Sequence, residues 1–295
     1  MRPGQAVGPA MFGAAALVTS NPDLSPAQFA VIAAIMQSDA RIELVPSKTT
    51  LVHSRLTKRL RAHGLQGFSE YLKLVRSDPG ERAAMVVALT TNHTHFFREG
   101  HHFDHLRDEV LPLLKQRAQS RLVRLWSAGC SSGEEIYTAA MTLAGTDRAG
   151  AAWLAKHSRL LATDLAPHVV AAVSRGVYSA ATIKPIPPAM QRAWLRPEGP
   201  DFAIAGELRD AVTARVLNLF GPWPMRQKYD VIFCRNVMIY FDRADQAELQ
   251  SRLIDMLVPG GHLYIGHSER LSADAARQMR PAGHTIYLKP EYPPL

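Results

Sequence analysis

The sequence predicts an α/β protein: a mostly parallel sheet covered by helices on both faces, preceded by a small helical bundle. Three observations carry that expectation. From Arg121 onward the apolar runs RLVRLW, SRLLATD, RVLNLF and YDVIFC alternate with helical stretches such as EEIYTAAMTLA and APHVVAAVSRG, the texture of strands buried on both faces. Before Thr91 every segment instead spaces its apolar residues as helices do. Between the first run and the first helix lies SAGCSSGEE, Ser127–Glu135, and a strand-to-helix loop of this kind sits where α/β sheets bind nucleotide-like ligands.

Each element follows from local chemistry. Residues 1–20 read as a flexible tail: the apolar run AMFGAAALV is broken by glycine and follows a proline, unlike a signal peptide. Residues 21–91 form a helical domain from LSPAQFAVIAAIM, KTTLVHSRLTKRLRAHG, FSEYLKLV and PGERAAMVVALT, with Pro79 opening the last helix and Gly64 and Gly67 marking a turn. Residues 92–295 form the sheet domain. Within it, the prolines of IKPIPPAM and RPEGPD and the short runs WL, FAIA and AVTA predict an inserted helix and hairpin at about 190–215. GGHLYIGHSE and HTIYLK close the chain as an antiparallel pair at one edge.

Bulk properties bound the function class. A chain of 295 residues, 47% hydrophobic and 20% charged, describes a globular protein with room for a full core. The net charge of +8 and pI near 9.7 favour an acidic partner, whether nucleic acid, anionic membrane or acidic protein. No run approaches the roughly 20 apolar residues of a membrane span. Cys130 and Cys234 lack metal or redox spacing, so they read as buried thiols in a reducing cytoplasm.

The loop rejects a pyrophosphate. Ser131 stands where the dinucleotide fingerprint has its second glycine, and Glu134 and Glu135 open the helix where they would repel phosphate. Such a site prefers a ligand with a cation near the loop and no phosphate, as in S-adenosylmethionine. Asp164, ending the second strand, suits ribose hydroxyls, and it suits equally well an N-cap for the following helix. FCRNVMIYFD, Phe233–Asp242, presents Arg235, Asn236, Tyr240 and Asp242 at a strand's carboxyl end. It lacks the Asn/Asp-Pro-Pro-aromatic motif of DNA amino-methyltransferases. TTNHTHFFREGHHFDHL, Thr90–Leu106, offers Asn92, Thr94 and Arg98. Its His101 and His105 have metal spacing, yet no further ligands complete a shell, so no metal is expected.

Six blocks in order, TTNHTHFFRE, RLWSAGCSSGEE, LLATD, FCRNVMIYFD, VPGGHLYIGHSE and HTIYLK, resemble the CheR family of chemotaxis receptor methyltransferases from about residue 20 onward. The resemblance implies a Rossmann-like class I methyltransferase sheet with an N-terminal all-α domain and a small inserted β-subdomain. It implies methyl transfer from S-adenosylmethionine, leaving S-adenosylhomocysteine, to glutamate side chains on the cytoplasmic helices of chemoreceptors. Carried over by motif, the cofactor contacts are Asn92, Thr94, Arg98, Glu134, Asp164, Asn218, Leu219, Asn236 and Val237, with Arg98 and Tyr240 at the chemistry. A glutamate carboxylate is ionised at neutral pH, with a reference pKa of about 4.3, so no general base is required.

Arg55, Lys58 and Arg59 share one face of their helix, and that face is expected to dock an acidic receptor helix. Relatives that bind a receptor's C-terminal pentapeptide do so by strand addition to the β-subdomain. Here the connection RPEGPDFAIAG is short, so methylation independent of the tether is expected. The partner expectations are a cytoplasmic monomer acting on chemoreceptors, with no nucleic acid and no membrane insertion. The alternative reading is a non-catalytic, S-adenosylmethionine-binding regulator that docks an acidic helix.

Overall fold

The computed structural model describes residues 22–291, and the expected tail at 1–20 lies outside them. Four helices open the chain: α1 (Pro26–Ala40), α2 (Thr49–Ala62), α3 (Phe68–Ser77) and α4 (Pro79–Leu89). Ser25 and Gln28 form a capping box at the start of α1. Asp78 accepts from the Gly80 and Glu81 amides just before Pro79; both caps satisfy amides that the first turn leaves unpaired. Ile32, Met36, Leu56, Leu60, Phe68, Tyr71 and Met85 fill the bundle core.

Glu81 is buried in this bundle and binds the Arg59 guanidinium, the Tyr71 hydroxyl at 2.6 Å and His63 Nε2 at 2.7 Å. Burial pushes its carboxyl up, but those three partners outweigh it and bring the pKa down to about 2. The expected basic face of α2 is corrected accordingly. Arg59 is committed to Glu81. Arg55 donates to the carbonyls of Leu89 (2.9 Å) and Thr90 (2.6 Å), which closes the end of α4. Lys58 alone of the three is exposed. Spacing placed the arginines on a common face, but only packing could show that both serve carbonyls and carboxylates of α4.

The second part runs α5 (His101–His105), a π-turn at Leu106–Val110, α6 (Leu111–Arg117), β1 (Val123–Ala128), α7 (Glu134–Ala144), α8 (Arg148–His157), β2 (Ser158–Asp164), α9 (Pro167–Arg175) and β3 (Val177–Ser179). It continues through α10 (Pro188–Trp194), β4 (Leu195–Glu198), β5 (Asp201–Ile204), α11 (Gly206–Arg209), β6 (Val212–Val216) and β7 (Tyr229–Cys234). The last elements are α12 (Arg243–Asp255), β8 (Leu257–Ile265), α13 (Ala273–Gln278), β9 (Arg280–Gly283) and β10 (Ile286–Leu288). The main sheet has the order β6-β2-β1-β7-β8-β10-β9. Its first five strands are parallel, and β10 is antiparallel to both β8 and β9. Strand order reverses direction at β1, between β2 and β7, so a crevice opens at their carboxyl ends.

A separate antiparallel sheet, β3-β5-β4, is the predicted insertion. Its bounds differ from expectation: the sheet begins at Val177, and AVTA belongs to β6, paired with β2 from Leu160↔Val212 onward. The alternating pattern of AVTA fits an edge strand of the main sheet as well as a hairpin, and only pairing separates the two. RVLNLF is likewise shorter as a strand than predicted, since β6 ends at Val216 and Leu217 and Leu219 turn inward. No helix among the described residues is long and apolar enough to cross a membrane.

Two histidines are buried. Burial, then His105 and Arg117, hold the imidazole of His262 on β8 down to about 4 from its ordinary 6.5, and burial does most to hold His102 near 3. Below about pH 6.5 the unfolded chain therefore binds more protons than the folded one, and stability falls as pH drops towards 4. Urea midpoints should decrease between about pH 7 and about pH 5, and His262→Leu should lessen that decrease; identical pH slopes for both proteins would refute the assignment.

Candidate active site

A cavity of about 370 Å³ occupies the crevice, within the range of roughly 300–1,000 Å³ typical of small-molecule sites. Its floor is the loop after β1. Gly129 and Cys130 donate to the Thr163 carbonyl at 2.8 and 2.9 Å, and Ser131 Oγ donates to the Asn92 carbonyl at 2.9 Å. Gly129 has φ of +81°, and a Cβ there would lie 2.5 Å from Val237 Cγ2. Glycine is thus required both by backbone conformation and by the close approach of the opposite wall.

Asp164 ends β2 beside this loop. Its Oδ2 accepts from the Ser131 amide at 2.9 Å and its Oδ1 from the Ala166 amide at 3.0 Å. It thus braces the turn into α9 while still lining the cavity. Each carboxylate oxygen has two acceptor sites, so both remain able to accept a ligand hydroxyl. Burial raises its carboxyl pKa, and the backbone donors oppose that rise.

The opposite wall is the segment after β7. Buried Glu269 anchors it by accepting from the amides of Asn236 (3.0 Å), Met238 (2.8 Å) and Gly266 (2.5 Å). This fixes Asn236 at φ of +58°. Phe97, Glu99 and Ser131 are also left-handed, at +56°, +56° and +49°. Such non-glycine conformations cost of order 1–3 kcal/mol each and persist where surrounding contacts impose them. Among the described residues Arg41 and Thr285 are left-handed elsewhere, and these four lie on three segments that wall the cavity.

The described structure brings Asn92, Thr94, Arg98, Asp164, Asn218, Leu219, Asn236, Val237 and Tyr240 to one cavity. Glu134 is the exception. Glu135 lines the cavity instead, whereas Glu134 is buried with its Oε2 accepting from Ser132 Oγ at 2.7 Å. Two adjacent acids at a helix start look alike in sequence, and helix phase decides which one faces the ligand. Asp242 N-caps α12 through the Asp245 amide. His101 and His105 bond separately to the His284 carbonyl and the Tyr264 hydroxyl. Sequence reasoning named Glu135 beside Glu134 but gave the contact to Glu134, and it missed Glu269 and Glu99; nothing in the spacing of those two marks them, because each acts on a segment distant along the chain.

The donor set fits S-adenosylmethionine: Asp164 for hydroxyls, a carboxylate from Glu135 near the loop for positive charge, and Val237 and Leu219 as apolar walls. A crevice at the strand-order reversal with an acid after the second strand suits a nucleoside-bearing ligand, and with acids in place of a dinucleotide fingerprint it suits the class of S-adenosylmethionine-dependent methyltransferases. Residues 92–288 match the SAM binding domain of CheR methyltransferase, and residues 27–90 match its all-alpha domain. The chain belongs to the CheR methyltransferase family. It is 44% identical over 260 residues, covering 86% of this chain and 96% of its relative, to a probable chemotaxis protein methyltransferase of Rhizobium etli. It is 38% identical to chemotaxis protein methyltransferases of Klebsiella aerogenes (90% of each chain) and Escherichia coli (90% of this chain, 91% of the other).

Gly129→Ala tests the floor. Overpacking against Val237 should cost about 1–3 kcal/mol of stability and weaken binding of S-adenosylhomocysteine in calorimetry. Wild-type stability and affinity together would show that the close approach is not needed.

Proposed function

We propose that this protein transfers methyl from S-adenosylmethionine to glutamate side-chain carboxylates on the cytoplasmic helices of chemoreceptors, forming methyl esters. The observation that carries this reading is the meeting of Arg98 and Tyr240 in one cavity with Asn92, Asp164, Asn218 and Asn236, in a chain whose two parts both match the family. When bound, the cofactor supplies an electrophilic methyl group. Asn92, Thr94, Asp164, Asn218, Leu219, Asn236 and Val237 would hold it, with Glu135 beside the loop in the place expected of Glu134.

The protein's own task is positioning, since an ionised carboxylate needs no base. Arg98 Nη1 donates to the His93 carbonyl at 3.1 Å, which steadies the guanidinium at the cavity edge. Tyr240 is held through its backbone, whose carbonyl accepts from the Glu43 amide at 2.9 Å. Both can orient an incoming carboxylate by charge-assisted hydrogen bonds. Aligning two reactants in this way belongs to the proximity class of catalysis. Docking of an acidic helix then falls mainly to Lys58, because Arg55 and Arg59 are already engaged.

Independence from a receptor tail has a structural rationale. The turn between β4 and β5 is only Gly199–Pro200, and of the sheet's two edge strands β3 is three residues long and β4 contains Pro197, which has no N–H to offer an added strand. Deleting a receptor's C-terminal pentapeptide should leave the initial methylation rate within about twofold, since no ladder of main-chain bonds is lost; a large drop, or tight binding of the free peptide, would reverse this reading.

Tyr240→Phe separates chemistry from packing. If the hydroxyl orients the acceptor, kcat should fall about tenfold or more with S-adenosylmethionine affinity unchanged, the mark of an interaction made mainly in the transition state. Base-labile methyl incorporation into receptor fragments provides the readout, and equal turnover by the two proteins would remove Tyr240 from the mechanism.

A further inference from the structure

The cavity wall is backed by a charge cluster in which Arg235 and Glu99 have no role so far. Arg235, at the end of β7, has a side chain only 2% exposed. Its Nη1 meets Glu135 Oε2 at 3.2 Å, and its Nη2 meets Glu99 Oε2 at 3.4 Å while also donating to the Arg98 carbonyl. Phe103 covers the guanidinium with its ring centroid at 5.3 Å. Glu99 reaches further still. Its Oε1 accepts from Asn236 Nδ2 (3.3 Å), from the His267 amide (3.3 Å) and from His267 Nδ1 (2.9 Å).

One carboxylate therefore links two of the segments that carry cavity residues: it is adjacent in sequence to Arg98, and it accepts from the side-chain amide of Asn236. Arg98, Glu135, Arg235 and Asn236 line the cavity, and Glu99 does not. We propose that Glu99 is a positioning residue for the cofactor, acting through Arg235 and Asn236 to fix the wall and to balance its charge. This rests on the methyltransferase reading above.

Two features distinguish this role from a purely structural one. Burying an ion pair is a poor way to stabilise a fold, because desolvation offsets the attraction and apolar residues would serve as well. The cluster even leaves Glu99 Oε2, Arg235 Nε and His102 Nδ1 without hydrogen-bond partners. The second feature is charge. Within the cluster the guanidinium groups of Arg98 and Arg235 face the carboxylates of Glu99 and Glu135. Burial pushes the Glu99 carboxyl up, but His267, Arg235 and Asn236 outweigh it and bring the pKa down to about 2, which keeps the carboxylate charged at neutral pH. Losing that charge would remove one negative charge from beside a site that must admit a sulfonium.

The test is Glu99→Gln in the full chain, with calorimetric affinities for S-adenosylmethionine and for its uncharged-sulfur product. Both affinities should fall, and the cationic ligand should lose about threefold or more beyond the loss of the product, because only its sulfonium responds to the lost negative charge. In a double-mutant cycle on product affinity, Glu99→Gln and Asn236→Ala should be non-additive, the second change costing little once the first is present. Glu99→Asp, which keeps the charge and shortens the reach, should restore the ligand ratio without restoring full affinity. If Glu99→Gln lowers only the thermal midpoint and leaves both affinities and their ratio as in wild type, Glu99 is structural and the proposal fails. If it does not fold, the Glu99→Asp result decides by the same affinities. Failure of the wild-type protein to bind either ligand would instead overturn the methyltransferase reading itself.

Discussion

A carboxylate taken out of water must be matched by donors, and that constraint organises this structure. An isolated buried charge is prohibitively costly, so each buried acid becomes a fastening between segments far apart in sequence. Asp230 receives Arg117, Arg121 and the Arg124 amide and ties α6 to β1 and β7. Glu269 gathers three amides from two loops. Asp164 joins the loop after β1 to the turn into α9. The cavity is the space these fastenings leave open, which explains why its walls keep left-handed residues that free loops would relax.

The same constraint joins the two parts of the chain. Asp245 on α12 binds Arg41 at 2.7 Å and Gln37 at 2.9 Å, and Asn218 donates to the Asp39 carbonyl at 2.7 Å. Ala40, Ile42, Leu89 and Thr90 thereby contribute to the cavity lining. Arg55 belongs to this junction, because it holds the carbonyl of Thr90 just before Asn92. Basic residues that look like a docking face in the sequence thus help to complete the site. The helical part is consequently a wall of the cavity.

Much of the architecture was legible because it depends on local periodicity. Strands buried on both faces, amphipathic helices, the Ser25 and Asp78 caps and the loop glycines all follow from residues close to one another. The cavity set was legible for a different reason. Asn92, Arg98, Asp164, Asn236 and Tyr240 stand next to strand ends or in distinctive polar clusters, and parallel α/β topology brings all strand ends to one crevice.

What the sequence by itself determined was the class of fold, the cavity's position and the kind of ligand that its acids admit. What only the tertiary structure decided was the partner of each charge. Spacing could not show that Glu135 rather than Glu134 lines the cavity, that AVTA pairs with β2, or that Arg55 and Arg59 are engaged. Nor could it show that Glu99 and Arg235 meet, since 136 positions separate them in the chain. The physical reason is common to all four: periodicity and capping act over a few residues, whereas pairing and neutralisation of buried charge act through space and depend on which surfaces folding brings together.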